Sequence, residues 1–330
     1  MPTRRACLAT LAAVSALAAV APTRRALAQS WPQRPVKIMV PFPPGGNTDG
    51  IARIFAQRFG EIFGQQFVVE NRPGASGALA AEAVARSPPD GYTLLMATLG
   101  QSAIVPAVTR ASFNPLADFT PISKLGTNPF VLVVHQSVPV KTLTEFVAYV
   151  RAQPRKITFA AAGTGDLIYL AMSLFLKRAG LEMIPVMYKG GAPALAVVVA
   201  GHVQTYFSNR SDVVPHAASG AIRPLAVSSD QRLRQFPDVP TFSEAGYPGF
   251  RILTWNGLMA PVGAPREIVD RLASESARAA KDPKVIERLA NFGIDPLGNT
   301  PEEFAAGLAT DIRFWADAAK IAGVQPSDDR

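Results

Sequence analysis

Residues Val36-Lys-Ile-Met-Val-Pro-Phe-Pro-Pro-Gly-Gly-Asn-Thr-Asp49 set a short apolar, β-prone run against a Pro- and Gly-rich turn, and a helical pattern follows. A strand that passes through such a turn into a helix aims unpaired backbone N–H groups and the positive end of the helix dipole at one point. That is the chemistry of an anion site. Gly45, Gly46 and Thr48 are the candidate donors, with Phe42 beside them. Asp49 is either an acid stabilised at the helix start or a partner for a ligand amine. Two more turns repeat the pattern: Thr98-Leu-Gly100-Gln101, and Gly163-Thr164-Gly165 ahead of a helix opened by Asp166. Thr98, Gly100, Gln101, Gly163, Thr164 and Gly165 are therefore candidate ligand contacts. Asp166 can cap its helix or meet a donor on the ligand. Tyr169 can stack on a ligand or pack in the core. Asn209 and Trp255 complete the candidate ligand-binding set.

Residues that could transform a ligand are harder to find. The chain has no G-x-S-x-G elbow, no G-x-x-x-x-G-K-[ST] loop and no H-E-x-x-H helix. His135, His202 and His216 are scattered without metal-ligand spacing. No catalytic residue, metal or cofactor is assigned. The pattern suits a site that holds a small anion.

Residues 1–28 read as a removable leader: Arg4-Arg5, an Ala-rich apolar run from Leu8 to Val20, and Ala26-Leu27-Ala28 as a cleavage site. The run falls short of the ~20 residues a membrane span needs. Thr3-Arg-Arg leaves general secretory and twin-arginine export both open. The only cysteine, Cys7, leaves with the leader, and so do four arginines, which halves the formal net charge of +8 to +4. So small a balance gives no argument for nucleic acid as a partner. The mature chain is expected to be exported, without disulfides.

Strands and helices alternate along the remainder, the signature of an α/β fold with a mostly parallel sheet. Strands are expected at Val36–Val40, Phe67–Val69, Tyr92–Thr98, Phe130–Val134, Ile157–Ala161, Pro185–Tyr188, Val203–Phe207, Leu225–Val227 and Leu253–Ala260. The helix from Asp49 to Phe63 carries Ile51, Ile54, Phe55, Phe59, Ile62 and Phe63 on one face. Thr142-Leu-Thr-Glu145 reads as a capping box, and the last helices start near Pro265, Pro283 and Pro301. The expected organisation is domain 1 over 29–126 plus 255–330 and domain 2 over 127–254, with hinge strands within 125–131 and 253–257 and a ligand cleft between the domains.

Several motifs in this order resemble the Bug family, the tripartite tricarboxylate transporter substrate-binding proteins. They are Pro41-Phe-Pro-Pro-Gly-Gly-x-x-Asp49, Glu70-Asn-Arg-Pro-Gly-Ala75, Pro89-Asp-Gly-Tyr-Thr-Leu94, Tyr188-Lys-Gly190, Asp238-Val-Pro-Thr241 with Glu244-Ala-Gly246, and Thr300-Pro-Glu-Glu-Phe304. The resemblance spans residues 31–323. It implies a type II periplasmic-binding-protein clam-shell that captures a small carboxylate in the periplasm and delivers it to the membrane permease subunits of such a transporter; a monomer is the simplest expectation. The chain departs from the family at Asp166-Leu-Ile-Tyr169, where Ser-x-x-His is usual. It departs again at Ser208-Asn209-Arg210, where Asp-Asn and an apolar residue are usual, and at Trp255-Asn256-Gly257, where Trp-Phe-Gly is usual. An acid at Asp166 favours a ligand with an amine or hydroxyl at that end, or a cation. Arg210 is expected to be a solvated charge. Two other functions stay open: a sensor that presents its closed form to a membrane receptor, and a secreted α/β enzyme acting on a carboxylate. The sequence does not name the ligand, its affinity or the permease served.

Overall fold

Alternating runs of buried apolar residues and amphipathic helix explain the first half of the chain. The computed structural model of the protein describes residues 31–161, 166–188 and 191–324; the leader expected at 1–28 lies outside them. Strands β1 (Val36–Val40), β2 (Phe67–Asn71) and β3 (Thr93–Thr98) alternate with helices α1 (Asn47–Phe63) and α2 (Ala78–Ala85). β1 pairs in parallel with β2 and β3. Its Val36, Ile38, Met39 and Val40 are buried, as a central parallel strand covered on both faces requires. α1 lays Ile51, Ile54, Phe55 and Phe59 on the sheet, and the Phe59 ring meets Phe67 of β2 at 5.3 Å.

After β3 the chain makes one π-helical turn (Gly100–Ile104) and a four-residue helix α3 (Val105–Val108). It then enters β4 (Phe119–His135), 17 residues long. The sequence pattern predicts a strand only at Phe130–Val134. Pro121 and Pro129, with register shifts between Pro121/Ser123 and Lys124/Gly126, break the alternation that would have marked the rest. The first part of β4 pairs antiparallel with β9 (Leu253–Pro261), down to Pro129↔Leu253. From Phe130 on, its partners are β7 (Thr205–Asn209) and β8 (Ile222–Val227). β5 (Thr158–Ala161) joins β6 (Ile184–Met187) and β7 in parallel. The strand order is β2-β1-β3-β9-β4-β7-β5-β6, with β8 and the short β10 (Asp295–Pro296) also on β4. The result is one curled α/β sheet. The described residues from Arg34 onward form one compact unit. β4 changes partners between Pro129 and Phe130.

The second half supplies α4 (Leu143–Arg151), α5 (Leu167–Ala179), α6 (Gly191–Val199) and α7 (Arg210–Ala218). Helices α8 (Arg266–Ala279), α9 (Pro283–Ala290) and α10 (Pro301–Ile321) close the chain. α10 packs on β4, on the π turn and on α5, so it covers both halves of the sheet. Only half of the capping box expected at Thr142 forms. The Thr142 hydroxyl accepts from Glu145 N–H, but the Glu145 carboxylate takes Lys141 N–H rather than that of Thr142. A complete box forms at Thr300 and Glu303. None of the helices among the described residues is long and apolar enough to cross a membrane.

Arg210 is a correction to the sequence reading. α7 begins at Arg210 rather than Val213, which turns this side chain inward; it is 5% exposed. Its Nη2 donates to Asp295 Oδ1 at 3.0 Å and to the Gly293 carbonyl, and its Nη1 donates to Asp295 Oδ2 at 3.3 Å.

Each long crossing strand carries a glycine at a tight contact. A Cβ on Gly126 would lie 2.4 Å from Ile294 Cγ2, and one on Gly257 would lie 2.6 Å from the Phe304 ring. Gly126→Ala is expected to destabilise the fold by about 1–3 kcal/mol through overpacking. Urea unfolding of the variant checks this; an unchanged midpoint would show that β4 and the segment before β10 separate freely.

Candidate functional site

β1 ends at Val40, and the six residues 41–46 must turn the chain into α1. Gly45 makes that turn at φ 92°. Gly46 is the N-cap of α1 and has no side chain to accept from the first-turn N–H groups. A capping Ser, Thr or Asp would have occupied them; glycine leaves them open. A Cβ on Gly45 or Gly46 would meet nothing within 4 Å, so the space in front of the helix end is clear. Thr48 is half-buried beside it, and Phe42 is half-buried at the start of the turn.

Asp49, 4% exposed, holds this turn in shape. Its carboxylate accepts from Gly45 N–H at 3.0 Å, Arg53 Nε at 2.9 Å and Asn71 Nδ2 at 2.9 Å. Asn71 also donates to the Phe42 carbonyl at 2.9 Å, tying the end of β2 to the turn after β1. Burial by itself would raise the Asp49 carboxyl. The bonds from Arg53, Gly45 and Asn71 outweigh it and hold the group below the usual carboxylate range.

The second turn is built by reciprocal bonds. Gln101 N–H donates to Thr98 Oγ1 at 3.3 Å, and Thr98 N–H donates to Gln101 Oε1 at 3.4 Å. This is a capping box of the T-x-x-Q kind, a signal present in the sequence. It uses the Gln101 oxygen and leaves Nε2, in a fully buried side chain, without a partner. At Gly100, which opens the π turn, a Cβ would again meet nothing within 4 Å.

A third wall was not among the candidate contacts. Gly74, Ala75, Ser76 and Gly77 all have positive φ. Ala75 and Ser76 are costly there, about 1–2 kcal/mol each. A Cβ on Gly77 would lie 2.9 Å from Pro41 and 3.2 Å from Gln101 Cγ, so this turn packs against both others. The Gly-Ala-Ser-Gly run after a strand was its sequence signal.

The other half of the sheet contributes different chemistry. Gly163, Thr164 and Gly165 lie outside the described residues. Asp166 is the N-cap of α5 and accepts from Ile168 N–H at 3.1 Å and Tyr169 N–H at 3.4 Å. The Tyr169 ring stacks on Phe159 with centroids 6.2 Å apart. Asn209 is the N-cap of α7, and its Nδ2 reaches Asp212 Oδ2 at 3.5 Å. Burial, then the charges of Asp166 and Asp212, push the Tyr206 phenol far above its usual range, so both carboxylates lie within electrostatic reach of that buried hydroxyl.

The N-termini of α1 and α7 meet where Asn47 Nδ2 donates to Ser211 Oγ at 3.5 Å. Beneath them is the buried Asn128 of β4. With its amide oriented to satisfy both neighbours, it accepts from Asn47 at 3.2 Å and donates to the Gly293 carbonyl at 3.0 Å. Trp255 is directed elsewhere. Its indole N–H donates to Asp311 Oδ2 at 2.8 Å, and its ring packs edge-on against Phe304 of α10. The next residue, Asn256, sits opposite Thr98 in the β3–β9 register and is 5% exposed, and its Oδ1 has no partner. Among the described residues no group of three or more His, Cys, Asp or Glu side chains could hold a metal ion.

Residues 51–314 match the model of the tripartite tricarboxylate transporter family receptor, TctC. Protein BugT of Bordetella pertussis is 35% identical over 304 residues, covering 90% of this chain and 92% of BugT. Among solved structures, Rpa4515 of R. palustris with adipate is 36% identical with a TM-score of 0.80, covering 90% of this chain and all of that one. MatC from Rhodopseudomonas palustris with bound malate is 33% identical with a TM-score of 0.74, covering 87% and 99%.

The Asp49 web predicts a pH signature. The folded carboxyl is depressed, so its contribution is complete above the unfolded value near 3.9 and is lost as pH falls through the lower folded value. Asp49→Asn should therefore cost about 1.5–3 kcal/mol at neutral pH. The gap to the parent protein should narrow steadily below about pH 4. Urea unfolding at pH 7 and pH 3 measures it, and a gap that does not change with pH contradicts the assignment.

Proposed function

The chain belongs to the tripartite tricarboxylate transporter receptor family and is a solute-binding protein, not an enzyme; we propose that it captures a small organic carboxylate and delivers it to the membrane permease subunits of such a transporter. The observation that carries this reading is the buried Gln101 amide, whose Nε2 has no partner and whose turn packs through Gly77 against Pro41, in the turn that leads to the uncapped end of α1. Amide N–H groups at a helix start bind oxyanions without a counter-charge, so one carboxylate belongs there. The leader-like residues 1–28 support export to the periplasm. β4 and β9, the strands that cross between the two halves, are the hinge about which two lobes close on the ligand.

The far end of the ligand meets a different surface. Asp166 occupies the N-terminal N–H groups of α5 with its own carboxylate, so a second ligand carboxylate gains little there and meets a like charge. This favours a carboxylate that carries an amino or hydroxyl group at the other end. The adipate and malate bound by the related structures are the natural starting points for a panel.

Thermal unfolding of the chain from Gln29 onward, with dicarboxylates, tricarboxylates, aromatic acids and amino acids, tests the proposal. A ligand present at 100 times its Kd adds about 2.7 kcal/mol. Gln101→Leu should weaken a hit by about 10- to 100-fold through loss of a charge-assisted bond. The reading fails if no carboxylate moves the midpoint while neutral or cationic solutes do. Asp166→Ser keeps a good N-cap and should shift preference toward plain dicarboxylates. An unchanged profile would leave Asp166 as a cap alone.

A further inference from the structure

Positive charge is unevenly placed along the chain. Residues 127–254 hold 12 Lys and Arg against 7 Asp and Glu, while the rest of the chain from Gln29 onward holds 17 against 18. Much of the excess falls on two short segments, Arg151-Ala-Gln-Pro-Arg-Lys156 and Lys177-Arg-Ala-Gly-Leu-Glu182, which together carry five cations and one acid. Like charges gathered at one place repel, so such a cluster needs a cause.

The fold sets the two segments side by side. The first runs on from the last residue of α4, and the second closes α5. Arg151 Nη2 donates to the Ala179 carbonyl at 3.0 Å, and Arg155 N–H donates to the Glu182 carbonyl at 3.2 Å. Arg151, Arg155, Lys156, Lys177 and Arg178 are all exposed, and none pairs with an acid among the described residues. Cations in a last helical turn complement the dipole, which accounts for Arg151, Lys177 and Arg178. It does not account for Arg155 and Lys156, which lie beyond α4. Arg151 and Arg178 each use one donor on a carbonyl, of Ala179 and of Pro248. The side chains of Arg155, Lys156 and Lys177 bond to nothing among the described residues. α5 has 13 residues, so about 20 Å of helix separates this patch from Asp166 at its other end.

We propose that the ends of α4 and α5 form a docking surface for anionic phospholipid headgroups, with Arg155, Lys156 and Lys177 as its main contacts. A bilayer offers a flat, mobile field of negative charge, which exposed cations meet without a matching pocket and with a gain set by their number. Ile184 opens β6 beside the patch, where its N–H donates to the Ile157 carbonyl at 2.9 Å, and it is 42% exposed. An apolar side chain among cations suits the headgroup layer, which favours lipid over a purely acidic polypeptide. The uneven charge also orients the approach, because the remainder of the chain is close to neutral. Docked in this way, the protein is held at the membrane surface, where the permease subunits proposed above lie, and with the Asp166 end of α5 uncovered. Docking of this kind does not depend on which solute is bound.

Co-sedimentation of the chain from Gln29 onward with phosphatidylcholine vesicles, with and without about 30% phosphatidylglycerol, tests it at about 50 mM salt. The anionic vesicles should bind the parent protein at least about tenfold better than the neutral ones, and the advantage should fade at about 300 mM salt as screening shortens the field. Lys156→Gln with Lys177→Gln should weaken binding to the anionic vesicles about 25-fold, at about fivefold for each cation removed. Lys281→Gln with Lys284→Gln makes the same change in net charge at exposed positions elsewhere and should cost less than about threefold. Equal binding to the two kinds of vesicle, or equal losses from the two pairs of substitutions, overturns the inference. So does capture of polyglutamate, but not of vesicles, through Lys156 and Lys177, which would reassign the patch to an acidic protein. Solute binding by the Lys156→Gln, Lys177→Gln variant should stay at the parent value, so the carboxylate reading stands or falls separately.

Discussion

The continuity of β4 constrains everything else in this molecule. One strand serves both halves of the sheet, taking β9 and β10 as partners along its first part and β7 and β8 along its second. Because β9 also pairs with β3, the end of the first βαβαβ unit is tied through two ladders to the start of the second half. Side chains alternate with a period of two, so a slip of one residue in either ladder would move Asn256 and Asn128 to the wrong face. The glycines at 126 and 257 pin those ladders by admitting Ile294 and Phe304 where any side chain would collide.

The βαβαβ unit is readable from the sequence because its apolar periods are strong and its glycine turns sit between them. The turn at 43–49 is readable for the same reason: strand, glycine and helix follow one another within a few residues. What is hidden is whatever depends on contacts distant in the chain. Asp49 is tied to Asn71, and Arg210 to Asp295, across separations that no local pattern records. The prolines of β4 erased its alternation, and the direction of Trp255 depends on which face α10 covers. Asn256 stood in plain view as a departure from Trp-Phe-Gly, but its unpaired oxygen is a property of the packed state. The reciprocal Thr98–Gln101 bonds are a different case, since T-x-x-Q is a local signal.

The N-termini of α1 and α5 are finished in opposite ways. Gly46 leaves the N–H groups of α1 without a side-chain acceptor, while Asp166 spends a full carboxylate on those of α5. One end therefore offers donors and the other an acceptor that carries charge.

The Arg210–Asp295 pair has a consequence for how this lineage can change. Its two members are not equivalent: the Arg210 side chain is 6% exposed, and that of Asp295 is 56% exposed. Loss of Arg210 to an apolar residue leaves an aspartate that water solvates at once. Loss of Asp295 leaves the buried guanidinium with the Gly293 carbonyl alone, and its Nε already lacks a partner, so this loss costs more. Mutational paths out of this arrangement therefore run in one order, arginine first. Paths into it from an apolar ancestor must acquire the aspartate beforehand. Comparing the unfolding free energies of Arg210→Met and Asp295→Asn measures that asymmetry, and equal losses would make the two orders equivalent. History can thus be written into a protein by which half of an ion pair the solvent is able to rescue.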